Sequence, residues 1–223
     1  MTLSGTWGKV PNMAFIVFEG LDGSGKSTLI KKLCAELKKQ AIDFVTTREP
    51  GGTTLGEELR QIILRTDGDA PTPRTELLLY EAIRSQHVDQ LITPALQQKK
   101  WVLCDRFTAS TIAFQASGRN LQVSDVHWLN HFATEGLQPH LTILLNLNTQ
   151  TSLERREQRT KTTGEPLDRF EREANDFHEK VRKSYLQQAK TSPDNWLILD
   201  AHLNPEDLFE SLLSSLRQRQ WLS

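Results

Sequence analysis

The chain has 223 residues, 37% hydrophobic and 25% charged, a globular composition with length for one α/β domain or two small ones. A formal net charge of −1 excludes a global electrostatic hold on nucleic acid or an acidic membrane surface. No apolar run approaches the roughly 20 residues of a membrane helix, and Cys34 and Cys104, outside any Cys-x-x-Cys pair, read as buried free thiols of a reducing compartment.

In chain order, "MTLSGTWGKVPN" (1–12) lacks the apolar core of a signal peptide and the arginines of a transit peptide. It is expected to be a disordered leader, with a single domain over 13–223. "AFIVFE" (14–19) reads as a buried strand, and "KSTLIKKLCAELKKQ" (26–40) has apolar residues at helical spacing. "FVTTRE" (44–49) predicts a second strand, and "TTLGEELRQIILR" (53–65) a helix with an apolar face through Leu55, Leu59 and Ile62. After "GDAPTP", a long helical stretch runs through "TELLLYEAIRSQHVDQLITPALQQ". "WVLCD" (101–105) and "LTILLNL" (141–147) are strands three and four, with helical segments around 109–116 and 123–135 between them. "WLILD" (196–200) is strand five, and "PEDLFESLLSSLRQ" (205–218) closes the chain as a helix. Short apolar strands separated by helices imply an α/β fold, a five-stranded parallel sheet covered on both faces.

Between strand one and the first helix, Gly20-Leu-Asp-Gly-Ser-Gly25-Lys26-Ser27 fits G-x-x-x-x-G-K-[ST] in the strand–loop–helix setting that this pattern requires. Backbone N–H groups converge on a polyphosphate only where side chains stay out of the way. Gly20, Gly23 and Gly25 supply that clearance and backbone angles closed to other residues. Lys26 is placed to meet the β- and γ-phosphates, and the Ser27 hydroxyl to ligate Mg²⁺. "NLNT" (146–149) does not match the N-K-x-D guanine motif of a GTPase, and the chain is short for a motor ATPase. A small kinase needs an acceptor site, arginines and a closing lid, and the sequence has candidates for each.

"FEGLDGSGKST", "TREPGGTTLGEELR" and "DRFTASTIAFQASGR" together resemble bacterial thymidylate kinase, a P-loop nucleoside monophosphate kinase, in order and spacing. The likeness runs from about Ala14 to the C-terminal helix. It implies ATP bound through Gly20, Asp22, Gly23, Ser24, Gly25, Lys26, Ser27 and Thr28, with Mg²⁺ at Ser27 and Asp105. Arg48 corresponds to an arginine gripping the dTMP phosphate, and Arg106 of the "DR" pair serves a phosphate too. The resemblance places Tyr80 against thymine, Arg84 at a base carbonyl, Thr111 and Gln115 near the imide edge, Arg119 in the "GR" element, and Asp22 at the deoxyribose 3′-hydroxyl. Tyr80 stands where many relatives have Phe, and Phe114 where many have Tyr.

The lid corresponds to about 155–168, within "ERREQRTKTTGEPLDRFERE", which carries Arg155, Arg156, Arg159 and Lys161. The P-loop has no arginine between Gly20 and Gly25, so the pattern resembles the type whose lid supplies the catalytic cation, with Arg155 and Arg159 as candidates. The activity implied is transfer of the ATP γ-phosphoryl group to dTMP, making dTDP for DNA synthesis, by a cytoplasmic homodimer built on the "ELLL" and "TIAF" helices. Two rivals remain: a nucleoside kinase with Glu19 as base, and a nucleotide sensor without turnover. His127 and His131 share the i, i+4 spacing of a zinc helix, but the glutamate of H-E-x-x-H and any third ligand are missing, so packing or surface histidines are expected.

Overall fold

The computed structural model describes residues 13–222; the expected leader at 1–12 lies outside the described residues. Five parallel strands, β1 (Phe15–Glu19), β2 (Phe44–Arg48), β3 (Trp101–Asp105), β4 (Leu141–Asn146) and β5 (Trp196–Asp200), form one sheet in the order β2-β3-β1-β4-β5. Each lies where an apolar run predicts it. The helices are α1 (Lys26–Lys39), α2 (Thr54–Leu64), α3 (Pro73–His87), α4 (Thr93–Gln97), α5 (Thr108–Thr111), α6 (Val123–Thr134), α7 (Thr149–Thr163), α8 (Asn175–Thr191) and α9 (Pro205–Gln218). A π-helical turn, Val88–Ile92, joins α3 to α4, and another, Ile112–Gly118, continues α5.

Alternation along β1 shows why the sheet is covered twice. Ile16 and Phe18 pack with Leu29, Leu33 and Leu37 of α1 and Leu208, Leu212 and Leu216 of α9. Phe15 and Val17 point the other way, toward Val88, Ile92 and Phe107. Each such fully buried side chain contributes about 1.5–3 kcal/mol. The strand order reverses around β1, and in open parallel sheets ligands bind at such a point, beyond the carboxyl ends of the strands. Register puts Phe18 of β1 and Arg48 of β2 both opposite Asp105, so Glu19, Arg48 and Asp105 share that edge.

Two sequence expectations are corrected, and one helix lies outside the predicted elements. Helix α2 buries Gly56 and Ile63, whereas Leu55 and Ile62 are exposed, because the helix turns a different face to α3. "TIAF" is interior rather than surface: Thr111, Ala113 and Phe114 are all buried. The helix outside the predicted elements is α8. Its signal is a step of four, Phe177, Val181, Tyr185 and Ala189, all buried, but surrounded by polar residues that dilute it.

Candidate active site

The first turn of α1 lacks both a capping side chain and an acidic residue; α6 and α8 also lack the cap, but carry Asp125 and Asp176 in that turn. Thr53, Thr72, Asn148 and Asn204 cap α2, α3, α7 and α9 with side-chain oxygens. Gly25 precedes α1 in the left-handed region (φ 97°), offers no side-chain cap, and no acidic residue follows in the first turn. The N–H groups and positive end of the helix dipole are thus left for an external anion. The loop's glycines are needed sterically: a Cβ on Gly20 lies 2.6 Å from the Leu145 carbonyl oxygen, at φ +135°. Lys26 is buried and donates Nζ to the carbonyls of Gly20 (3.1 Å) and Leu21 (3.2 Å). Burial, and then the nearby Arg106, push its pKa down.

Ser27 Oγ donates to Asp105 Oδ2 at 3.4 Å, and Asp105 Oδ1 is buried without a hydrogen-bond partner among the described residues. A hydroxyl beside an orphaned carboxylate oxygen fits Mg²⁺, a hard cation that completes its shell with water and phosphate oxygens.

A cleft of about 440 Å³ joins this end to Arg48, Arg60 and Arg106. Arg48 lines it, half exposed, with Nη2 held 2.8 Å from Glu57 Oε2. Glu57 Oε1 also accepts from the Gly52 N–H at 3.0 Å, so the "PGG" turn and Arg48 share one carboxylate. Arg60, passed over in the sequence reading, lines the cleft and donates to the Pro50 carbonyl at 2.7 Å.

Arg106 pairs with Asp22 (2.7 Å), not with its neighbour Asp105. Its backbone is in the left-handed region (φ 72°), a strained conformation for a non-glycine residue, which the surroundings must over-determine. They do: Arg106 Nη1 donates to Tyr185 Oη (3.1 Å) and Ser110 Oγ (3.3 Å), and its N–H donates to the Phe18 carbonyl. Tyr185 and Ser110 in turn donate to Glu19 Oε2, at 2.8 and 2.7 Å. Burial pushes the Glu19 pKa up despite Arg106. Asp22 goes the other way: burial alone raises its pKa, but Arg106 and Lys26 outweigh that and hold it well below the carboxylate range. Glu19 is fully buried beneath the cleft, with Phe107 and Ser110 N–H groups on its other oxygen, which removes it from reach as a nucleoside base.

At the far end, Tyr80, Arg84, Thr111 and Gln115 line the cleft together, as their i, i+4 spacings require. Arg84 is held by Glu49, Glu81 and Asn130. Hydrogen bonds take Nε and both Nη1 donors, and Nη2 is ion-paired with Glu49, so Nη2 alone has an N–H to offer a ligand. Burial pushes the Tyr80 pKa up, with the Glu76 charge adding to it. Arg119 stands behind this wall, paired with Glu76 and Glu173.

Helix α7 carries the lid cations farther into regular structure than expected, through Thr163. Arg155 lines the cleft and donates to the carbonyls of Gly23 (3.3 Å) and Ala201 (3.0 Å). Arg159 also lines the cleft, 40% exposed and 2.6 Å from Glu171. Arg156, between them in sequence, is buried against the Glu171 carbonyl and His178. His127 and His131 are exposed on α6, away from this cleft.

A family model described as thymidylate kinase matches residues 18–212. The chain is 58% identical over 210 residues to a thymidylate kinase of Bdellovibrio bacteriovorus, spanning 94% of this chain and 98% of that one. It is 41% identical to a thymidylate kinase of Pelobacter propionicus over 92% of this chain and 94% of the relative. A crystal structure of thymidylate kinase from Ehrlichia chaffeensis superposes with a TM-score of 0.72 at 29% identity, covering 92% of this chain and 99% of the other.

Proposed function

The chain belongs to the thymidylate kinase family, an ATP:dTMP phosphotransferase that forms dTDP for dTTP synthesis, and on that premise we propose how its residues carry the transfer. The observation that carries the proposal is the continuous cleft, which lines up Lys26 and Ser27 with Arg48, Tyr80 and Gln115.

A phosphate oxygen of dTMP attacks Pγ of ATP; the new O–P bond forms as the bond from Pγ to the β,γ-bridging oxygen breaks, and ADP leaves. The acceptor phosphate is already nucleophilic near neutral pH, so catalysis is alignment plus charge neutralisation. The uncapped N–H groups of α1 hold the donor phosphates, and Lys26 leaves its two carbonyls to meet them. Arg48 and Arg106 orient the acceptor phosphate, with Asp22 turned to the 3′-hydroxyl. Mg²⁺, held by Ser27 and Asp105, neutralises phosphate charge when bound. Arg159 leaves Glu171 when the lid, about 155–168, closes, and meets the transferring group where its charge peaks; Arg155 stays nearer the P-loop. Tyr80 stacks on thymine, and Arg84 Nη2 serves a base carbonyl.

The working unit is a single kinase domain from residue 13 onward, cytoplasmic and homodimeric. Free thiols at Cys34 and Cys104 suit a reducing compartment. The dimer face is Leu78 of α3 with Trp128 and Phe132 of α6, all more than half exposed.

The test is ADP release with Mg-ATP and a panel of dTMP, dUMP, dCMP, dGMP, AMP and thymidine. Strong turnover with dTMP, less with dUMP and none with thymidine is expected. Turnover with thymidine counts against Arg48 as an acceptor-phosphate residue.

A further inference from the structure

We propose that Glu76 is a specificity-determining positioning residue: it dictates which end of the Gln115 amide faces the nucleotide base. The inference rests on the reading above that the base end of the cleft lies at Gln115, and adds to it the group that sets the direction of recognition.

Glu76 lies in the first turn of α3 and is 1% exposed. Its Oε1 accepts from Gln115 Nε2 at 2.8 Å and from Arg119 Nε at 3.2 Å. Its Oε2 stands 2.8 Å from Arg169 Nη2, an ion pair without hydrogen-bond alignment. A carboxylate between two guanidinium groups has only acceptor capacity, so the Gln115 nitrogen, not its oxygen, must face it. The arginines are themselves fixed. Arg169 packs over Phe170 with its guanidinium 4.5 Å from the ring centre, and Arg119 over Phe177 at 4.8 Å.

Gln115 is buried and lines the cleft, and its nitrogen is committed to Glu76. The amide oxygen is therefore the end offered to a ligand. One helical turn earlier, Thr111 lines the same wall, its Oγ1 buried and without a hydrogen-bond partner among the described residues. A hydroxyl donates or accepts as required, but the Gln115 oxygen only accepts. The wall thus demands a ring that presents N–H at this edge, as the imide of thymine or uracil does. Cytosine brings a lone pair to that position, and two acceptors facing each other in a buried site leave both unsatisfied. Without the Glu76 charge, the amide is free to turn over and offer its NH₂ instead. Glu76 touches no substrate; it acts through Gln115.

The experiment compares kcat/KM for dTMP and dCMP in wild type, Glu76→Gln and Gln115→Ala. In E76Q the preference for dTMP should fall by about tenfold, the value of one buried hydrogen bond, through a higher KM for dTMP, with the KM for ATP unchanged. Folded E76Q with the wild-type preference overturns the proposal. If E76Q keeps the preference while Q115A loses it, only the positioning role fails. If Q115A keeps it as well, the placement of the base at Gln115 fails too. Should E76Q not fold, NMR of the wild-type Gln115 side-chain amide decides. Its protons, assigned by their loss in Q115A, should stay protected from solvent exchange with and without dTMP. Loss of that protection on dTMP binding shows the amide turning away from Glu76 and overturns the proposal.

Discussion

Arg84 Nη2 stands 2.7 Å from Glu49 Oε2, with the two side chains 1% and 3% exposed. Glu49 directly follows Arg48, so this pair ties the Arg84 end of the cleft to Arg48 through one buried contact. His87 Nδ1 holds the other Glu49 oxygen at 3.0 Å, and His87 Nε2 meets Thr47 Oγ1 at 2.7 Å.

Glu49→Gln should destabilise the fold by about 3 kcal/mol at neutral pH, because it leaves Arg84 with Glu81 as its one carboxylate partner. Burial alone raises the Glu49 pKa, but Arg84 and His87 outweigh it and the folded value lies below the ordinary 4.5. A depressed folded pKa contributes stability that is present above the unfolded pKa and lost as pH falls through the folded one. The gap between wild type and E49Q in urea unfolding should therefore be full at pH 7 and close progressively below about pH 4.5. A gap that persists unchanged at pH 3 contradicts the assignment.

Arg48→Ala separates chemistry from folding. Its partner Glu57 is exposed to a similar degree, so the pair contributes less than about 1 kcal/mol to stability. Turnover should drop by about 10²–10³, as for loss of a group aimed at transition-state charge. Steady-state kinetics beside a thermal melt reads both, and near-normal turnover contradicts the role.

Neighbouring arginines of α7 should fail in different ways. Arg159→Ala should lower kcat by about 10³ and cost the fold less than Arg156→Ala, since Arg159 is 40% exposed and only its Glu171 partner is buried. Arg156→Ala should lower the melting temperature instead, by removing the buried donor to the Glu171 carbonyl and costing about 1–3 kcal/mol. A reversal of these two phenotypes would exchange the catalytic assignment.

Trp128 and Phe132 stack 5.8 Å apart on the outside of α6, at 65% and 70% exposure. A solvated aromatic pair of this size is costly to leave uncovered. Sedimentation velocity should show a dimer for wild type and a monomer for the Trp128→Glu, Phe132→Glu double variant. A monomeric wild type at micromolar concentration removes this face as an interface.

The P-loop was legible because its chemistry is local. Glycine spacing, Lys26 and Ser27 lie within eight consecutive residues, and a helix N-terminus is an anion site wherever it folds. The strands were legible for a similar reason: a strand buried on both faces must be apolar throughout. Helix α8 was not, since four apolar residues at steps of four are diluted by the polar face around them.

The amino-acid sequence by itself determined the phosphate-binding loop, the parallel sheet and the inventory of arginines, because each is written in short-range pattern. Only the tertiary structure decided which partner each arginine meets. Arg106 faces Asp22 rather than Asp105, Arg156 is buried between two cleft-lining neighbours, and Arg84 has Nε and Nη1 hydrogen-bonded within the protein. Glu19 and Tyr185 are 166 positions apart, and Glu76 and Arg169 also lie far apart in sequence, yet each pair is in contact. A charge in a sequence has no partner until packing removes water from around it. The partner it then finds sets both its pKa and its role.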